Sequence, residues 1–302
     1  MLDNSIKERI SAICSNVQFD CPMSKYTTFR IGGNADCLAV PSSKEEILAL
    51  LRFARESSIA VTVLGNCSNV LVRDGGIEGI TMLINSGMSK VEIDGETVKA
   101  QAGITMGSLA QACIRASLAG FEFASGIPGC LGGGIYMNAG AYNGEIGDLV
   151  QSVDIIDEEL NLKTLTNKEM GFGYRHTALS GRNVVVIGAT LKLKKGCSTA
   201  IAQQVADYTK RRRDRQPLTY PSAGSTFKRP EGAFAAALID QAGLKGLTVG
   251  GAQVSQKHAG FFINIGGATA ADVLELIKKV QQIVFEKNGI MLQPEVKIIG
   301  RD

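Results

Sequence analysis

Only two of the 302 residues are histidine, and the seven cysteines (Cys14, Cys21, Cys37, Cys67, Cys113, Cys130, Cys197) are odd in number, widely spaced and without a C-x-x-C pair. That pattern supports neither a zinc site nor a disulfide framework, so no metal is expected. Also missing is any apolar run near the about 18 residues a membrane helix needs. The opening MLDNSIKERISAIC mixes charged and apolar residues and lacks the continuous apolar stretch of a signal peptide. A cytoplasmic protein with reduced thiols and no membrane partner is the expectation. No G-x-G-x-x-G follows a strand and no glycine-lysine pair occurs, which removes both the doubly wound dinucleotide loop and the phosphate loop. Charge of one sign is scarce as well: 32 basic against 29 acidic residues leave a net +3, which argues against a nucleic-acid partner.

What is present is glycine, 35 residues of it in clusters, within a chain that is 45% hydrophobic and long enough for two or three domains. Leu2, Ile6, Ile10, Ile13 and Val17 share a helical face, with Ser5 and Glu8 as a capping box. A strand over 35–40, a helix opened by a Ser43/Glu46 capping box and a strand over 60–64 form a compact unit. It ends in Gly65-Asn66-Cys67-Ser68-Asn69. A hairpin then sets Val91 and Ile93 against Val98 and Ala100 across an Asp94-Gly95 turn. A helix over 106–119 and a glycine-rich stretch over 125–147 follow. A polar helix from Ser198 carries Lys210-Arg211-Arg212-Arg213 and is stopped by Pro217 and Pro221. This basic run at a helix C-terminus suits the dipole and reads as a solvated face, with contact to a diphosphate as the alternative. The texture divides the chain into 1–85, to which the final strand in 290–302 returns, 86–197 and 198–289.

Clustered glycines let backbone N–H groups or a ligand come close to main chain. Each glycine loop alone reads more readily as a tight turn than as a binding site. Their order within longer motifs changes the reading. Tyr26-Thr27-Thr28-Phe29-Arg30-Ile31-Gly32-Gly33, Val63-Leu64-Gly65-Asn66-Cys67-Ser68-Asn69, and Gly126-Ile127-Pro128-Gly129 leading into Tyr136-Met137-Asn138-Ala139-Gly140-Ala141-Tyr142 come first. They are followed by Gly173-Tyr174-Arg175, Ala223-Gly224-Ser225-Thr226-Phe227-Lys228, Lys257-His258-Ala259-Gly260 and Pro294-Glu295-Val296. Together, and in this order, they resemble the UDP-N-acetylenolpyruvoylglucosamine reductases over nearly the whole chain.

The resemblance implies an α+β fold with a two-part FAD-binding region of the vanillyl-alcohol-oxidase type and a smaller C-terminal α+β substrate-binding domain. It implies NADPH as electron donor and a UDP-sugar as substrate, whose enolpyruvyl group is reduced to give UDP-N-acetylmuramate for peptidoglycan. It also implies a monomer that serves cell-wall growth, cell shape and division. Arg175 matches the family's catalytic arginine, Ser225 its proton donor and Glu295 its catalytic glutamate, with Lys228 a neighbour able to activate Ser225. Cofactor contacts fall to Arg30, Gly32, Gly65, Asn66, Cys67, Ser68, Asn69, Gly126, Ile127, Pro128, Gly129, Gly132, Gly133 and Gly134, with main-chain donors expected to dominate at the pyrophosphate. Tyr174, Lys228 and His258 are the substrate contacts. The short connection after Arg175 leaves no room for the tyrosine-bearing insertion of one branch of the family. Three residues depart from its pattern: Cys67 stands where glycine is usual, Cys130 where serine is common and Gly134 where alanine is usual. A cysteine at position 67 is strained if its φ is positive.

Overall fold

The computed structural model describes residues 2–302. Internal contacts divide the chain into two units. The first holds the segment ending at Gln18, Leu38–Asn66 and Gly79–Arg212; the second holds Phe19–Cys37, Cys67–Glu78 and Arg213–Asp302.

In the first unit, the helix Asn4–Ile13 is capped by Asp3, whose carboxylate accepts from Ile6 N at 2.8 Å. Asp3 therefore takes the role expected of Ser5, and of the apolar face Ile10 is the residue fully buried. Helix Lys44–Glu56 has Glu45 and Glu46 in its first turn and buries Ile47, Leu50, Phe53 and Ala54, one stripe at three- and four-residue spacing. Ser43 Oγ accepts from Glu46 N as expected, but the Glu46 carboxylate turns back to Ser42 N and Oγ at 2.9 and 3.0 Å, so the box closes one residue early. The strand Val61–Leu64 then pairs in parallel with Ile77–Leu83, Val61 opposite Ile80.

A five-stranded antiparallel sheet follows, in spatial order Leu162–Thr166, Val150–Ile156, Val185–Lys192, Thr97–Gln101, Val91–Asp94. Its edge hairpin has Val91 opposite Ala100 and Ile93 opposite Val98, as the alternation predicts. Because Asp94 still pairs with Thr97, the turn residues are Gly95 and Glu96, one position later than expected, with Gly95 at φ +58°. Helix Met106–Arg115 stops four residues short of the predicted end: Ser117 enters the left-handed region at φ +53°, and Leu118–Ala119 pairs with Lys194–Lys195. At the other edge of the sheet, Asp157 takes N–H bonds from Glu159 and Asn161 on Oδ1 and an ion pair from Lys163 on Oδ2 at 2.5 Å, which closes the turn between its two strands.

The second unit has a four-stranded antiparallel sheet, ordered Ser222–Ser225, Phe261–Asn264, Ala252–Val254, Thr248–Val249. Helix Ala270–Asn288 adds Val273, Leu276, Ile277, Val280 and Val284 to a core shared with Phe29, Ile31, Leu71, Phe227 and Phe262. Phe227 and Phe262 meet edge to face at 5.7 Å. The helix begins with a Thr269/Asp272 capping box and ends at Gly289 in the left-handed region. Its first two amides, Ala270 N and Ala271 N, donate to the Asp74 carboxylate at 2.8 and 2.9 Å. Asp74 follows the strand Val70–Val72, which pairs in parallel with Lys297–Ile299. One carboxylate thus ties the start of the longest helix to the loop after a strand nearly two hundred residues earlier.

Two stability predictions follow from these anchors. Asp74→Ala leaves two helix-terminal amides without their acceptor and is expected to cost about 1 kcal/mol. The readout is a lower urea midpoint at unchanged slope; an unmoved midpoint contradicts it. For Asp157, the Lys163 ammonium, followed by the Asn161 amide, holds the carboxyl well below the ordinary carboxylate range. With the folded value below the unfolded one, the stabilisation is complete above about pH 4 and is lost as pH falls further. The difference in urea midpoint between the parent protein and Asp157→Asn should therefore shrink from pH 7 to pH 3. A constant or growing difference rules this out.

Candidate active site

In the first unit, the chain leaves strand Val61–Leu64 at Gly65 and Asn66 and meets the second glycine loop through Cys130. The Asn66 amide donates to the Cys130 thiol, and a Cβ on Gly65 would lie 3.5 Å from its Sγ. Burial pushes this thiol up to about 11, so it stays protonated. Cys130 occupies the N-cap position of helix Leu131–Tyr136 but its side chain makes no capping bond; it turns to Asn66 instead.

The amides of this loop are largely committed to the fold. Ile127 N donates to Ala124 O, Gly129 N to Ile127 O, Leu131 N to Ile104 O at 2.9 Å and Gly132 N to Ala102 O at 2.8 Å. These amides point into the fold, and main-chain donors to an anion would come from the other positions of the two loops. The glycines have separate tasks. A Cβ at Gly132 would meet Ala102 Cβ at 2.9 Å and one at Gly134 would meet Met106 Cε at 2.2 Å, whereas Gly133 is exposed and a Cβ there would touch nothing within 4 Å. Pro128 is exposed beside them.

Arg175, also in this unit, lies in a two-residue turn closed by reciprocal bonds between Gly173 and His176 at 3.0 and 3.1 Å. Its φ is +52°. The guanidinium donates to the carbonyls of Asn138 at 3.3 Å and Gly140 at 3.1 Å and sits over the Tyr174 ring at 5.0 Å. Tyr174 is exposed. Asn138, which sequence reasoning did not single out, organises this corner from a buried position at φ +42°. Its Nδ2 donates to Glu145 Oε2 and to Gly173 O, and its Oδ1 accepts from Gly147 N, at 2.8, 3.0 and 2.9 Å. Nothing in an Asn-Ala-Gly tripeptide marks it for that work; only the motif around it did.

The second unit gathers the remaining residues. Arg30 is exposed at φ +55° with its N–H on Thr27 O, and Gly32 at φ +132° leaves no room for a side chain, since a Cβ would lie 2.7 Å from Val72 Cβ. Cys67 is buried at φ +49°, so the strained alternative holds. Its carbonyl accepts from Thr28 N at 3.3 Å, joining the 26–33 segment to the 67–69 loop, where Ser68 is half-buried. Thr28 in turn bonds Ser222 through both its hydroxyl and its carbonyl. Asn69 Nδ2 donates to the Glu295 carbonyl at 3.3 Å, and Asn69 O accepts from Lys297 N at 2.9 Å.

Glu295 N donates to Thr226 O and Lys228 N to Gln293 O, each at 2.8 Å, so the segments bearing Ser225 and Glu295 run side by side. Ser225 sits at the end of its strand beside Gly224 at φ +79°, where the register shifts. Its hydroxyl is exposed and makes no hydrogen bond among the described residues; in particular Lys228 Nζ does not bond it. His258 is half-buried, accepts from Gly260 N on Nδ1 at 3.1 Å and meets Phe261 edge to face at 5.0 Å. Burial lowers its imidazole below the ordinary value, so it is neutral at pH 7.

Comparison with known proteins accounts for both ends of this arrangement. Residues 216–299 match the UDP-N-acetylenolpyruvoylglucosamine reductase C-terminal domain, and residues 35–165 match an FAD binding domain. Proteins of that reductase name from Clostridium perfringens (strain SM101 / Type A) and Pediococcus pentosaceus are similar to the chain. The first is 47% identical over 95% of this chain and 94% of its own length. The second is 44% identical over the full length of both. The crystal structure of UDP-N-acetylenolpyruvylglucosamine reductase from Thermus caldophilus superposes with a TM-score of 0.81 at 33% identity, covering 94% of this chain and 98% of that one. An alkyldihydroxyacetonephosphate synthase, at 16% identity and a TM-score of 0.50 over 65% of this chain and 41% of that one, shares the fold alone. The fold is thus α+β, an FAD-binding region of the vanillyl-alcohol-oxidase type with a smaller C-terminal domain. With relatives of this similarity spanning its whole length, the chain belongs to the UDP-N-acetylenolpyruvoylglucosamine reductase family.

Proposed function

We propose that the protein is an NADPH-dependent, cytoplasmic flavoenzyme that reduces the enolpyruvyl group of UDP-N-acetyl-3-O-(1-carboxyvinyl)-glucosamine to UDP-N-acetylmuramate, supplying peptidoglycan synthesis. In this reading it acts as a monomer. Residues 1–85 with the final strand, and 86–197, form the two parts of the FAD-binding region, and 198–289 the substrate-binding domain. The exposed backbone at Gly133 fits a cofactor laid against main chain, and so does the positive φ held at Cys67 and Arg30. FAD, when bound, supplies the hydride for the vinyl carbon after taking it from NADPH.

Adding hydride there builds negative charge on the neighbouring carbon and its carboxylate, and fixed donors lower that cost. Arg175 meets this need. Carbonyl anchoring by Asn138 and Gly140 sets the guanidinium's direction without neutralising it, and a guanidinium matches a carboxylate fork. Ser225 delivers the proton to the carbon beside the carboxylate, and Glu295 stabilises the enol-like intermediate by hydrogen bonding. The observation that carries the assignment is the Thr226–Glu295 backbone pairing, which runs the segment bearing an exposed hydroxyl without a hydrogen-bond partner alongside the segment bearing a carboxylate. Tyr174, Lys228 and His258 complete the substrate contacts. The connection 176–184 is packed down, with Thr177 Oγ1 on Tyr136 O and Gly181 N on Tyr136 OH, which supports the shorter branch of the family.

The test is stopped-flow absorbance of the purified protein, first with NADPH and then with the enolpyruvyl substrate. Bleaching followed by substrate-dependent return of the yellow colour is expected; a colourless protein that cannot be reconstituted with FAD sinks the reading. In Ser225→Ala, bleaching by NADPH should keep its rate while substrate-driven reoxidation slows by about 10²-fold or more. Equal slowing of both steps would remove Ser225 from the proton-donor role.

A further inference from the structure

Helix Ser198–Arg215 ends in a basic stretch whose members differ in surroundings. Lys210, Arg211 and Arg213 are exposed, whereas Arg212 is half-buried and turned toward the second glycine loop. A Cβ on Gly126 would lie 3.3 Å from Arg212 Cδ and 3.5 Å from one of its terminal nitrogens, so the absence of a side chain at Gly126 is what lets the guanidinium pass.

A tyrosine clamp sets the position. The tight turn between Gly140–Ala141 and Gly144–Glu145 places Tyr142 and Asn143 at φ +50° and +67°. There the Tyr142 ring stacks on Tyr208 at 4.1 Å and 3°, and its hydroxyl donates to Tyr208 O at 3.0 Å. Tyr208 is one helical turn before Arg212, so the hairpin tip grips the turn that carries the arginine.

The Arg212 guanidinium has no ion pair and no hydrogen bond among the described residues. Burial disfavours its charged form, and the titratable group that bears on it is the Tyr142 phenol rather than a carboxylate. A desolvated cation held by design against a glycine loop is a costly arrangement unless an anion completes it. Amides at Ile127, Gly129, Leu131 and Gly132 already serve the fold, so a cationic side chain adds to the few main-chain donors this loop has left for a phosphate laid on it.

We propose that Arg212 binds the diphosphate of a nucleotide held at the 126–134 loop, with Tyr142 and Tyr208 as its positioning residues. This rests on the flavoenzyme reading above. FAD and a UDP-sugar both carry that group, and a guanidinium grips it with paired N–H bonds.

The experiment uses the full chain stripped of flavin, as parent, Arg212→Met and Arg212→Lys. Affinity for FAD and for riboflavin, which lacks phosphate, is read by flavin fluorescence across ionic strength; affinity of the flavin-loaded protein for UDP is read by calorimetry. In Arg212→Met, FAD binding should weaken by about tenfold or more and lose part of its salt dependence, with riboflavin unchanged and lysine restoring part of the loss. A loss confined to UDP assigns the same chemistry to the sugar nucleotide. Affinities for FAD and UDP that both stay within about twofold overturn the proposal, and so does an equal loss for FAD and riboflavin, which marks packing instead of charge. Should the parent protein bind neither FAD nor UDP, the flavoenzyme reading falls and takes this one with it.

Discussion

Arg30, Cys67, Asn138 and Arg175 hold φ between +42° and +55°, a region that costs a residue with a Cβ about 1–2 kcal/mol. Arg30 is held by a local turn, its N–H on Thr27 O, and the other three by bonds to other segments of their own unit. Thr28 holds the Cys67 carbonyl, and the reciprocal Gly173/His176 pair closes the turn of Arg175. The Asn138 amide satisfies Glu145, Gly173 and Gly147 together. Strain that persists is strain the surroundings over-determine; these four lie in the motifs of the candidate site, whereas Ser58 and Leu160 hold positive φ in turns outside it. Relaxing Asn138 would release the Gly173 carbonyl and the Arg175 anchor in one step. That dependence makes a buried asparagine the support of the arginine proposed to face the substrate.

Helices and the edge hairpin were legible because their signals are local. The stripe Ile47, Leu50, Ala54 and the alternation Val91, Ile93 against Val98, Ala100 each follow from one period of the backbone. Ends were less legible. Asp3 outcompeted Ser5, Glu46 reached past Ser43 to Ser42, and the hairpin turned on Gly95-Glu96. Several acceptors within two residues of one another serve equally in sequence, and only the packing of the following helix or strand chooses among them.

The candidate site was legible through ordered motifs and hardly at all through composition. Ser225 looked like loop punctuation, and nothing local to it indicates that the segment of Glu295 will run beside its own; that is a pairing across about seventy residues. The glycines of the second loop could not be told apart in advance, because sequence shows that a Cβ is missing without showing what fills its place. At Gly132 and Gly134 protein fills it, and at Gly133 nothing does. The same ambiguity hid Arg212, one of four consecutive basic residues of which helix phase alone selects the one that faces inward.

The three departures from the family's pattern each have a physical account in this chain. At Gly134, where alanine is usual, the Met106 methyl occupies the place of the missing Cβ, 2.2 Å from where it would stand, so the volume is supplied from the neighbouring helix. At Cys130, where serine is common, the thiol leaves the helix N-cap unbonded and takes the Asn66 amide instead; with its pKa pushed up to about 11 it acts as a neutral, inert joint between the two loops. At Cys67, where glycine is usual, the left-handed backbone is retained and the side chain is buried, so burial of an apolar thiol offsets part of the conformational cost. The loop's geometry is therefore held by its surroundings, the Thr28 amide on the Cys67 carbonyl among them, and not by the residue at its apex, since a backbone free to relax would have moved a cysteine out of positive φ.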